Sequence, residues 1–113
     1  METSTSEFGV IMKSNEQDVP ADGESTETFS DGTVSGRGEY RAGRKTGDWT
    51  YYYRSGATKG IGSHFEGEMD GAWRWWREDG SLMRTGHFAR GVQTGIWETW
   101  DAEGQIVSSK DLT

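Results

Sequence analysis

Any chemistry in this chain must come from a short list of residues. It has 113 residues, two histidines and no cysteine. Thiolate catalysis, disulfides and cysteine-ligated zinc are therefore excluded. His64 and His87 have no second nucleophile or acid at a telling spacing, so neither is a catalytic candidate. Gly36-Arg37-Gly38 and Gly60-Ile61-Gly62 resemble fragments of phosphate loops, but no helical pattern follows either, and turn glycines are the simpler reading. Glu66, Glu68 and Asp70 alternate in a manner that could hold a cation. The equivalent stretches 42–46 and 90–94 lack such a set, which favours a solvated loop. The expectation is a non-enzyme with no catalytic residue, metal or cofactor.

What remains is a repeat. Trp49, Trp73 and Trp97 recur at a constant interval, as do Gly38, Gly62 and Gly86. Gly43, Gly67 and Gly91 keep the same period, as do Gly47, Gly71 and Gly95, and Gly56, Gly80 and Gly104. A second aromatic column runs through Tyr52, Trp76 and Trp100. The period is 24 residues with no insertion, which marks a repeat architecture rather than a globular core. Upstream, Gly23 and Gly32 keep phase, while Ser25 stands where tryptophan belongs. The expected divisions are an acidic, disordered leader (1–22), a degenerate capping hairpin (23–37), three full repeats (38–107) and a short tail (108–113).

Turn chemistry sets the elements. Segments 48–53, 72–77 and 96–101 are short and aromatic, hence strands, and each precedes a turn ending in Gly56, Gly80 or Gly104. A return strand follows, and a Gly-rich loop such as 67–71 leads to the next hairpin. No window has helical periodicity. The predicted fold is all-β: tandem antiparallel hairpins stacked into an elongated, twisted single sheet. Trp49 and Tyr52 are three apart, so strict alternation puts them on opposite faces unless a bulge intervenes. A thin sheet sealed on both faces by aromatic ladders is the expected outcome, and Trp49, Tyr52, Trp73, Trp76, Trp97 and Trp100 are its structural residues.

Charge narrows the partners. The net charge of −7 lies in residues 1–36, with eight acids and one base; residues 37–113 carry eleven of each. A neutral body with an acidic leader argues against nucleic acid. Arg37, Arg41, Arg44 and Lys45 form the only basic run, and the leader opposes binding to anionic lipid, so a membrane-adaptor role ranks low. Phe8 to Met12 is too short an apolar run for a signal peptide and lacks preceding positive charge. Together with the absent cysteines, this points to a reducing cytoplasm.

Residues that break the repeat are the binding candidates. Tyr51, Tyr53 and Trp75 are extra rings, whereas the third copy carries Thr99 and Asp101 at positions 51 and 53 of the repeat. Arg54, Arg74 and Arg77 lie beside them, and aromatic and arginine residues are favoured at binding hot spots. The competing reading is that Tyr51 and Trp75 fill an inner face. Residues 37–62 carry +4 and residues 91–113 carry −3, an asymmetry suited to head-to-tail stacking or partner steering.

The unit Gly-x-Trp followed by the turn glycine, at Gly47-Asp48-Trp49 to Gly56 and its two later copies, resembles the MORN-variant repeat of the YwqK-type antitoxin-like family. The resemblance implies stacked hairpins, no catalysis and a protein partner, with a toxin as one candidate and a second copy of the chain as the alternative. Trp73-Arg74-Trp75-Trp76 also resembles the aromatic cages of choline- or glucan-binding cell-wall repeats, which are shorter and belong to secreted proteins.

Overall fold

The computed structural model describes residues 21–113. The expected leader, 1–22, lies outside the described residues except for Ala21 and Asp22. The rest is all β, in eight strands: β1 (Gly23–Thr28), β2 (Val34–Arg41), β3 (Arg44–Tyr52), β4 (Thr58–Phe65), β5 (Glu68–Trp76), β6 (Leu82–Ala89), β7 (Val92–Trp100) and β8 (Ile106–Asp111). They form one open antiparallel sheet in sequence order, 62 × 33 × 19 Å in extent. Among the described residues, no helix is long and apolar enough to cross a membrane.

Two kinds of turn alternate. Phe29–Thr33, Tyr53–Ala57, Arg77–Ser81 and Asp101–Gln105 are each closed by a backbone bond from the first N–H to the last carbonyl, at 2.8–2.9 Å. The other joints are two-residue turns, Ala42-Gly43, Glu66-Gly67 and Arg90-Gly91, with positive φ at both residues. Positive φ at both positions is the type I′ requirement and matches the twist of the flanking strands.

These turns correct the expected loop at 67–71. Glu68 to Gly71 is strand, and only Glu66-Gly67 turns the chain. Gly71 is a positive-φ kink inside β5, and Gly47 and Gly95 serve likewise in β3 and β7. The boundaries differ from expectation at both ends as well. β2 continues past residue 37 to Arg41, and β8 occupies most of the segment expected as a tail, paired to β7 from Ile96↔Asp111 to Trp100↔Ile106. β8 is exposed along its whole length and is held by backbone pairing, which is why composition understates it.

The core is half a core, lying on one face. Trp49 and Trp73 are 0% and 2% exposed although no second layer covers the sheet among the described residues, and Trp97, Phe88 and His64 are buried with them. Each indole lies flat on a glycine of the preceding strand: a β-carbon at Gly38, Gly62 or Gly86 would fall within the ring of Trp49, Trp73 or Trp97. Trp49 and Trp73 donate Nε1–H to the carbonyls of Glu39 and Ser63, both at 3.0 Å, tying each indole to the strand beneath it. Trp97 donates instead to Thr94 at 3.0 Å.

Candidate functional site

Alternation along β3, β5 and β7 sends residues two apart to the same face. Trp49, Tyr51, Trp73, Trp75 and Trp97 thus form one continuous stack, with centroids 5.6–6.0 Å apart and ring planes inclined by 24–27°. Tyr40, His64 and Phe88 stand edge-on against it, at 5.5, 5.3 and 5.2 Å from Trp49, Trp73 and Trp97. Offset and edge-on contacts of this kind contribute about 0.5–1.5 kcal/mol per pair beyond burial.

Tyr52, Trp76 and Trp100 are half-buried on the opposite face. The register shifts at Tyr51/Tyr52, Trp75/Trp76 and Thr99/Trp100 leave β3, β5 and β7 alternating, because the extra residue sits on the return strand. Each face does carry an aromatic column, but only one is sealed. Ile61, Ile96 and Ile106 are exposed on the second face.

The sealed face is polar at its N-terminal end. Glu27 occupies the repeat position of Tyr51 and accepts from the Tyr40 hydroxyl at 2.9 Å and from Lys45 Nζ at 3.2 Å. Lys45 also donates to the Tyr51 oxygen at 3.1 Å, and that oxygen lies 2.8 Å from His64 Nε2. With the phenol oxygen already accepting from Lys45, the hydroxyl proton is directed at Nε2, leaving the imidazole proton on Nδ1. Nδ1 is buried without a hydrogen-bond partner. Burial, then the Lys45 charge, hold the His64 pKa below the ordinary histidine value. Burial likewise raises the Tyr51 phenol. The cluster therefore favours a neutral imidazole held among rings, and His64 also lines the groove beside it.

Towards the longer turns the same face opens into a groove of about 370 Å³, with Tyr51, Trp73 and Trp75 as walls, Gly60 at its floor, and Phe29 and Lys59 at its rim. Its origin is a pairing the sequence reading missed. Gly36 lies opposite Tyr51 and Gly60 opposite Trp75, whereas Arg84 lies opposite Thr99. A β-carbon at Gly36 would sit 3.1 Å from the Tyr51 ring, and one at Gly60 2.9 Å from Trp75. The extra rings of the first two copies thus require glycine across the ladder, and the third copy exchanges both partners. The signal was present, since positions 36, 60 and 84 are in phase, but it has meaning only once strand register is known.

The expected binding residues do not form one patch. Tyr51 and Trp75 come together in the groove. Tyr53 donates its hydroxyl to the Trp76 carbonyl and Arg77 donates Nη2–H to the Trp100 carbonyl, both at 2.7 Å, so each staples a turn to the next hairpin. Arg54 lies 4.8 Å over Phe29 and 3.5 Å from Asp31. Arg74 lies on the opposite face, 5.7 Å over Trp76.

Among known families, residues 69–89 match the model described as a MORN repeat variant. The matched stretch is the β5–β6 hairpin, one unit of the array. MORN repeats are generally non-catalytic modules, often involved in binding. The 24-residue period carries the same frame to residues 21–41, 45–65 and 93–113, which are the other three hairpins. No curated protein and no solved structure matched the chain.

Proposed function

We propose that this chain is a non-catalytic protein-binding module of the cytoplasm that engages its partner through the groove walled by Tyr51 and Trp75. The carrying observation is that, among the described residues, this groove opens beside Trp49, Trp73 and Trp97, which are buried by their neighbouring rings. A rigid apolar recess flanked by aromatic walls suits a buried anchor side chain from a partner. The resemblance to the antitoxin-like family supports a finer form, in which the partner is a toxin. The absence of cysteine from so thin a core suits a reducing compartment.

The test transplants the third copy's own pair into the second. Gly60→Arg with Trp75→Thr fills the groove with residues the array already accommodates at Arg84 and Thr99. The wild-type chain should capture a stoichiometric protein from native lysate, and the double variant, with unchanged circular dichroism, should lose it. Recovery of no stoichiometric partner, or equal capture by both chains, defeats the proposal.

A second reading has its own observation. The edge strand β8 is exposed along its whole length, with Ile106 and Val107 53% and 61% exposed. An unpaired apolar edge is a template for a second copy.

A further inference from the structure

The groove's surroundings indicate what chemistry it accepts, provided the protein-binding reading above holds. Trp75 lies between Gly60 on one side and Arg84 on the other in the strand register, and residues paired in this way share a face. Lys59, one residue before Gly60, stands at the rim. Both Lys59 and Arg84 are exposed, and neither forms an ion pair among the described residues. The Trp75 indole N–H also has no acceptor among the described residues, and it is not a buried orphan. Lys59, its ammonium 5.7 Å over the Tyr53 ring, and the Trp75 indole therefore border an apolar recess, and Arg84 lies beyond Trp75 on the same face.

The acids nearest this end of the face are already committed. Glu27 is bound by Tyr40 and Lys45, and Asp31 by Arg54 and Thr33. Among the described residues, no carboxylate thus forms an ion pair with Lys59 or Arg84. On this charge complementarity, we propose that the groove binds an acidic, extended protein segment that inserts one aromatic or aliphatic side chain between Tyr51 and Trp75 and sets flanking carboxylates against Lys59, Arg84 and Trp75 Nε1. A polyanion such as nucleic acid or an anionic membrane fits less well, because the net charge of −7 resists long-range approach, whereas a short segment meets only the local field.

The proposal is tested with the full chain and fluorescein-labelled heptapeptides of Ser and Glu around one central Phe. The controls replace Glu by Lys, or Phe by Gly. Anisotropy should show the Glu/Phe peptide binding at least about tenfold more tightly than either control, with the preference shrinking as salt rises. Lys59→Glu with Arg84→Glu, both surface changes, should reverse the preference between the Glu and Lys peptides. Equal binding of acidic and basic peptides, no binding of the acidic one, or stronger retention on phosphatidylserine vesicles than on the peptide each overturns it. Suppose the partner captured from lysate is lost by the Gly60→Arg/Trp75→Thr chain but retained by the charge-reversed one. Then the acidic assignment fails while the protein-binding reading stands.

Discussion

At the scale of single residues, the sheet rests on glycines that lack a side chain where a ring must lie. Gly62 beneath Trp73 is the clearest case, because Trp73 is the centre of the stack and its ring occupies the space a β-carbon would need. Gly62→Ala should destabilise the chain by about 1–3 kcal/mol, the range for overpacking a tight site, as read by urea denaturation. Gly104→Ala would also lose stability, but through its positive φ, since nothing lies within 4 Å of its β-position. His64 adds a pH dependence. Its folded pKa is lowered, so the unfolded chain binds the proton more readily and stability falls as pH drops below the ordinary value of about 6.5. Asp31 and Asp79 also have lowered pKa values, from bonds to Thr33 and Ser81, but their contribution is lost only in the carboxylate range near about 4. Replacing His64 with phenylalanine, the residue the third copy uses at Phe88, should flatten the melting temperature between about pH 6.5 and 5 and leave the carboxylate-dependent loss below it. An unchanged slope in that window would show that His64 does not carry the effect.

At the scale of elements, some hairpin joints announce themselves and others do not. The turns ending in Gly56, Gly80 and Gly104 were legible because Asp79-Gly80 and its counterparts carry turn residues in a fixed column. The two-residue turns were obscured because Ala42, Glu66 and Arg90 are poor signals for the left-handed backbone they adopt, at φ of 52°, 50° and 50°. The repeat, the strand type and the antiparallel stacking could be read from spacing alone. The groove could not, since it depends on which residue of β4 faces which of β5. The strained turn residues also suggest a stabilising change. Ala42→Asn would give the residue best suited to the first position of a type I′ turn, while keeping the Ala42 backbone bond to Asp22 at 2.9 Å. Thermal denaturation should show a gain of about 0.5–1 kcal/mol, part of the about 1–2 kcal/mol cost of left-handed backbone for an ordinary residue. A loss would mean that this turn is held by its neighbours and not by its own preference.

At the scale of the whole molecule, each strand packs chiefly on its sequence neighbours, so stability is a chain of local interfaces and not one cooperative centre. The two ends of that chain differ. β1 is polar, with Glu24 and Glu27, and has serine at the tryptophan position, so it offers little apolar surface to another sheet. β8 presents Ile106 and Val107, and its Lys110 stands in the column held by Gly38, Gly62 and Gly86. A lysine there denies a flat seat to an incoming tryptophan at that position. Edge pairing through the β-branched residues remains open, and two copies of β8 can meet about a two-fold axis without needing that seat. Sedimentation of the wild-type chain should therefore show association that grows with concentration, and Val107→Lys, a charge on an exposed edge, should reduce it. Because Val107 makes no part of the Trp stack, the variant should keep its melting temperature at low concentration, where only the monomer is measured. A strict monomer at every concentration would assign the exposed β8 edge to solvent and remove the self-association reading.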